Sequence, residues 1–218
     1  MSGSGTSRSL PRLGGENTRC PLTTFTWQST WTHPVSPFTA PTESPKISPP
    51  GSGKTTLARE LEARGFLRLC PDERVWRAHG HYGRDFPRGQ YKIRERPILA
   101  EVAAELRTAL AAGRDVVMDH GFWTVDERQE WRRIGEQAGA AATLVYLPAT
   151  HDELWERIED RNQQNDDPNS MYFSEEDLRR HAGCFEPPGM DEPHLVYDGR
   201  SAAVTSVLGH DDARESAR

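Results

Sequence analysis

The chain is short of cysteine, short of long apolar runs and, in its first quarter, short of acids, and each shortage removes a class of protein. Cys20, Cys70 and Cys184 are an odd number set far apart, with no C-x-x-C pair. They suggest neither a disulfide framework nor a zinc knuckle, and they fit a reducing, cytoplasmic setting. No apolar stretch approaches the roughly 18 residues that a bilayer span needs, and no short apolar block follows a basic start as a secretory signal would. No membrane partner is expected. Basic side chains are outnumbered 27 to 33, for a net charge of −6. That surplus repels polyanions at long range, so a small molecule is the better partner and nucleic acid the less favoured one.

What is present divides the chain in two. Residues 1–50 hold half of the sixteen prolines and many Ser and Thr, but only five Leu, Ile or Val and two acids, Glu16 and Glu43. Such a segment buries too little to offset its ordering entropy, so a low-complexity, disordered tail is expected. The exception is 24–31, where Phe25, Trp27 and Trp31 alternate with polar residues as in a half-buried strand. Arg8, Arg12 and Arg19 in this Ser-rich stretch have the composition of an organelle transit peptide, without its amphipathic helix.

From Gly51 the pattern alternates short apolar runs with amphipathic stretches, which predicts an α/β domain over 51–200 with a mostly parallel sheet, followed by a polar tail over 201–218. A helix over 55–64 carries Leu57, Ala58 and Leu61 inward and stops at Gly65. Strands are expected at 66–70, 116–118, 144–147 and 195–197. Pro97 suits a helix first turn, and Ile98, Val102, Leu106 and Leu110 then form one stripe. Thr124 with Glu127, and Thr150 with Glu153, are spaced as capping boxes opening two more helices.

Gly51-Ser52-Gly53-Lys54-Thr55-Thr56 is the second half of G-x-x-x-x-G-K-[ST]. Its glycines let backbone N–H groups turn inward on phosphate oxygens, the lysine reaches the outer phosphates, and Thr55 can ligate Mg²⁺. The helix that follows adds its positive end. The pattern's first glycine would fall at Ser48, and residues 42–50 carry three prolines where a buried strand should deliver the loop. Either the 24–31 strand is recruited across a long connection, or the sheet has a gap at its middle. The gap is the favoured expectation, so the usual first strand is expected to be missing.

Asp119 follows Val116-Val117-Met118 in the strand-then-acid form of a Mg²⁺ site, with a turn-capping aspartate as the alternative. Asp72, after Cys70-Pro71 and just past a strand, is placed as a helix N-cap would be. Arg157 and Arg161 lie four apart on one helix face, placed either to cover phosphates or to pair with Glu153 and Glu156. Residues 162–169 form an amide- and acid-rich lid loop. The basic and aromatic stretch holding Arg84, Phe86, Arg88, Tyr91, Lys92, Arg94 and Arg96 is either the acceptor side of the cleft, suited to an anionic or ring-bearing substrate or a nucleic-acid strand, or equally a solvated insert. A metal pair at His79 and His81 lacks an obvious third ligand, and His120, beside Asp119, is either a histidine that touches substrate or, the safer reading, an incidental loop histidine.

With the loop, Cys70-Pro71-Asp72, Asp119-His120 and the arginine-bearing helix in this order, residues 51–198 resemble the AAA-domain P-loop kinases of the zeta-toxin-like group. Polynucleotide kinases and chloramphenicol phosphotransferases are relatives within that group. The resemblance implies a three-layer α/β/α fold of the P-loop NTPase type, with ATP and Mg²⁺ as cofactors. It implies transfer of the γ-phosphoryl group to a hydroxyl of a small molecule, Asp72 serving as base, Lys54 as phosphate ligand, and Arg157 and Arg161 as lid arginines. Polynucleotide kinases often carry an arginine three residues after the aspartate, where this chain has Val75. The alternatives are a 5′-hydroxyl polynucleotide kinase, or a nucleotide-binding or inactive protein with an incomplete loop.

Overall fold

In the computed structural model, residues 51–163 and 172–197 are described in full, and 19–29 and 164 by their backbone alone. Leu57, Ala58 and Leu61, three and four apart, are fully buried on one side of α1 (Lys54–Ala63), and Gly65, at φ +102°, turns the chain out of it. The chain then runs through β2 (Leu67–Leu69) into α2 (Pro71–His79), which has Pro71 at its first position. A one-turn 3-10 helix (Arg88–Gln90) leads directly into α3 (Tyr91–Ala111). After these come β3 (Val116–Met118), α4 (Val125–Gln137), β4 (Ala140–Thr150), α5 (His151–Gln164), α6 (Glu175–Ala182) and β5 (Leu195–Val196).

The five strands form one sheet in the order β2-β3-β1-β4-β5, with β1 spanning Arg19–Ser29. β2 pairs with β3, and β4 with β5, in parallel; β1 pairs antiparallel with both of its neighbours. Four strands therefore run one way and β1 runs against them, so the parallel character expected of the sheet holds with one reversed member. The expected gap between β3 and β4 does not exist. Phe25 opposes Met118 on one side of β1 and Leu144 on the other, and pairing with β4 runs from Arg19 against Thr150 to Ser29 against Ala140. A gap there would bury two rows of backbone donors and acceptors without partners, and β1 satisfies both. Of the expected disordered tail, 19–29 is thus a central strand; 1–18, 30–50 and the tail over 201–218 lie outside the described residues.

Alternation along β3 and β4 divides the core between the two faces of the sheet. Val117, Val145 and Leu147 pack with α1 on one face; Val116, Met118 and Leu144 pack with α2, α3 and α4 on the other. This is the three-layer α/β/α arrangement. A third cluster joins Leu154 and Ile158 of α5 to Phe173 and to Leu178 of α6. Among the described residues, no helix is long and apolar enough to cross a membrane.

Two local expectations change. α3 begins at Tyr91 rather than at Pro97, so the proline lies inside the helix and the Ile93 carbonyl has no helical donor. Thr124 caps α4 by accepting from the Glu127 N–H (3.2 Å), but the Glu127 carboxylate does not complete the box; it accepts from Trp123 N–H at 2.8 Å and faces His120. At Thr150 the box is complete: its N–H donates to Glu153 (2.6 Å) and its Oγ1 accepts from Glu153 N–H (3.2 Å).

Candidate functional site

The loop from Gly51 to Lys54 is built around two glycines at φ +96°, Gly51 and Gly53, a backbone state that L side chains rarely adopt. Gly53 is the N-cap of α1 and supplies no side-chain cap, so the helix opens with its positive end uncovered. The Ser52 hydroxyl is buried without a hydrogen-bond partner. An orphaned hydroxyl in the loop that opens a helix N-terminus fits an anionic ligand. Lys54 is half-buried, and the protein around it pushes its pKa down to about 8, against attraction from Asp119 and Asp72 and with repulsion from Arg161.

Thr55, in the first turn of α1, donates from Oγ1 to Asp119 Oδ1 at 3.1 Å. Asp119 is 2% exposed, just past β3, where its N–H donates to Leu69 O at 2.8 Å. Its other oxygen accepts from Arg68 of β2, from Nε at 2.9 Å and Nη2 at 2.5 Å, and Arg68 also reaches Glu73 at 2.8 Å. The hydroxyl and carboxylate expected to share Mg²⁺ are therefore adjacent. Their oxygen donors fit that ion, which takes one or two protein oxygens and keeps several waters.

Across Lys54 lies a second group of carboxylates. Asp72 is in the first turn of α2, whose N-cap is Cys70, so the capping alternative for Asp72 does not hold. Tyr91 donates its hydroxyl to Asp72 Oδ1. Burial beside Asp72 and Glu95 raises the Tyr91 pKa, so this hydroxyl keeps its proton. Glu95 is buried, and burial lifts its pKa to about 7. His120 is 5% exposed, with Nε2 3.7 Å from Glu127 Oε1. Burial works against its charged form, but Glu127, Asp72 and Glu95 outweigh burial and raise its pKa.

A family model described as an AAA domain matches residues 48–188, well over half of the chain. The chain belongs to that family. No curated protein and no solved structure gives a significant match. As a member, this AAA domain is of the nucleotide-binding, P-loop kinase-like type.

The remaining candidates of the AAA domain fall into place unevenly. Arg157, exposed on α5, donates to the Gly51 carbonyl at 3.2 Å, and Arg161, one turn on, is close enough to Lys54 to lower its pKa. A Cβ on Gly51 would lie 3.2 Å from Leu154 O and 3.3 Å from Ile158 Cγ1, so α5 is seated against the loop. Thr56 is exposed. Of the expected lid over 162–169, 162–164 belong to α5 and 165–169 lie outside the described residues; Asn162 donates to Phe173 O at 2.8 Å.

The basic stretch is largely engaged within the protein. Arg84 pairs with Asp85 (3.1 Å), Arg88 with Asp177, and Arg94 with Gln90 (3.0 Å), while Arg88 and Arg94 also lie over the rings of Tyr82 and Phe86. His79 Nδ1 is 3.1 Å from Arg94, and His81 Nε2 accepts from Trp76 at 3.3 Å, so these histidines do not form a metal pair.

Arg68 and Glu95 were not among the residues expected at the site, Tyr91 was expected there only as part of the basic and aromatic stretch, and His120 was read chiefly as a loop histidine. Tyr91 and Glu95 continue the stripe of Ile98 and Val102 backward at helical spacing, a signal hidden once the helix was started at Pro97. Arg68, a charge in the middle of a three-residue strand, was the visible cue for a buried acidic partner.

Proposed function

We propose that this AAA domain binds ATP with Mg²⁺ and transfers the γ-phosphoryl group to a hydroxyl of a small molecule, as in the zeta-toxin-like group. What supports this reading is that Asp119, which accepts from Thr55 at 3.1 Å, and Asp72, which accepts from Tyr91, both act electrostatically on Lys54 of the glycine loop.

Thr55 and Asp119 would hold Mg²⁺, which when bound neutralises charge on the β- and γ-phosphates. The N–H groups of the loop and Lys54 hold the phosphate oxygens, and Arg157 and Arg161 on α5 supply positive charge over the loop. Asp72 accepts the proton of the acceptor hydroxyl as that oxygen bonds to the γ-phosphorus. The bond from phosphorus to the bridging oxygen breaks, and ADP leaves with that electron pair. Tyr91 orients the Asp72 carboxylate by hydrogen bonding. Cys70 and Cys184 are thiols rather than halves of a disulfide, which suits a reducing compartment such as the cytoplasm.

A second reading, nucleotide binding without transfer, is favoured by one feature: the strand in the middle of the sheet runs opposite to its neighbours and is separated from the loop by residues 30–50. A polynucleotide 5′-hydroxyl kinase is the weaker variant, because the arginines of 84–94 are paired inside the protein.

Phosphorus-31 NMR of the full chain with Mg-ATP and a panel of alcohols tests the proposal. Transfer predicts a new phosphomonoester signal that Asp72→Asn lowers at least a hundredfold while ATP affinity stays within threefold. ATP binding with neither ester nor inorganic phosphate favours the second reading.

A further inference from the structure

Asp72, Glu95 and His120 come from three elements, the first turn of α2, the second turn of α3 and the loop after β3, yet each offers a ligand atom that lies within 4.8 Å of the other two. They stand apart from the Thr55–Asp119 pair, and nothing in the phosphoryl-transfer scheme requires Glu95 or His120.

The histidine supplies a second, independent observation. Its side chain is 6% exposed, Nε2 faces the Glu127 carboxylate at 3.7 Å, and Nδ1 is buried with no hydrogen-bond partner. Glu127 is itself anchored, accepting the Trp123 N–H at 2.8 Å. A carboxylate facing one ring nitrogen of a buried histidine, with the other ring nitrogen left unpartnered, is the arrangement that orients a metal-binding imidazole. Charge favours a cation. Asp72, Glu95 and Glu127 act on His120, while the cations that act on the group are Lys54 on the Asp72 side and Lys92 on Glu95 and Glu127. Ligand bonds of about 2.0 to 2.2 Å would draw the three atoms to roughly 3 Å apart.

We infer that Asp72, Glu95 and His120 form a binding site for one first-row divalent cation, Mn²⁺ or Zn²⁺, on the acceptor side of the cleft. Two carboxylates with one imidazole suit these ions, whereas Mg²⁺ prefers oxygen ligands and retains its waters. The site shares Asp72 with the proposed transfer step but needs no nucleotide, so its binding test is separate from the test of phosphoryl transfer.

The test is calorimetric titration of the chelator-stripped full chain with Zn²⁺ and with Mn²⁺, in the absence of nucleotide. One equivalent is expected to bind, at least tenfold more weakly in Glu95→Gln and in His120→Gln, about tenfold more weakly in Glu127→Gln, and unchanged in Thr55→Ala. Circular dichroism checks each variant for folding. Pulsed electron paramagnetic resonance of Mn²⁺ on the unaltered chain provides a readout that needs no variant: a coupling from a directly bound imidazole nitrogen is expected. Absence of that coupling, absence of binding, or an affinity indifferent to Glu95→Gln and Glu127→Gln overturns the inference.

Discussion

Lys54→Met is expected to stabilise the free protein while removing its grip on nucleotide. Burial pushes the Lys54 pKa from 10.5 down to about 8, so at pH 7 the chain folds around a charged group that prefers water. At about 1.4 kcal/mol per unit of pKa, the cost is at most about 3 kcal/mol. The side chain keeps some solvent contact, so about half of that is the better expectation. The sign follows from proton counts. Below pH 8 the lysine is charged in both folded and unfolded chains, and the cost is present in full. Between pH 8 and 10.5 the unfolded chain holds more protons, so the native protein gains stability as pH rises. Urea denaturation of both proteins at pH 7 and pH 10 should therefore show the methionine variant ahead by about 1 to 2 kcal/mol at pH 7, with the lead shrinking at pH 10. A variant less stable at pH 7, or a gap independent of pH, would refute the account of Lys54 as an ammonium strained for want of an anion.

Gly51→Ala must hold a side chain at φ +96° with its Cβ 3.2 Å from Leu154 O, so it should lose about 1 to 3 kcal/mol in denaturation and bind nucleotide more weakly. Arg128 of α4 is fully buried, with two hydrogen bonds to Glu192 (2.8 and 2.7 Å) and one to Glu186 O (2.8 Å). Glu192→Ala leaves that guanidinium without its carboxylate and should cost about 3 to 5 kcal/mol, much of it recovered in the double variant with Arg128→Met. Equal stability of Glu192→Ala and the parent in urea would contradict this. Thr150→Ala removes a complete capping box from α5 and should cost about 1 kcal/mol, read in the same assay.

How far the sequence disclosed the molecule depended on how local each feature is. α1, the positions of β2 to β5 and the cap at Thr150 rest on periodicity or on neighbours within four residues, and all are found where the residues pointed. The role of β1 was not legible. The alternation of Phe25 and Trp27 marked a strand, but its place depends on ladder partners 89 and more residues away on β3 and β4. The prolines before Gly51 made a gap look cheaper than a long connection, because they display the cost of the connection and hide the unpaired backbone the gap would leave.

The same division runs through the site. The phosphate cradle is contiguous, so Gly51, Ser52, Gly53, Lys54 and Thr55 were readable together. The acceptor side is assembled from α2, α3 and the end of β3, so only Asp72 carried a recognisable position. Glu95 was concealed by the misplaced start of α3. His120 looked incidental because the carboxylate that orients it, Glu127, seemed committed to a helix cap.

The most direct measurement of the central claim is calorimetric titration of Mg-ATP into the folded full chain and into Lys54→Met. The account predicts one binding site in the parent and at least tenfold weaker binding in the variant, equivalent to a loss of about 1.4 kcal/mol or more. No heat from the parent, or equal affinity in the two proteins, would show that the loop between Gly51 and Thr55 does not hold a nucleotide.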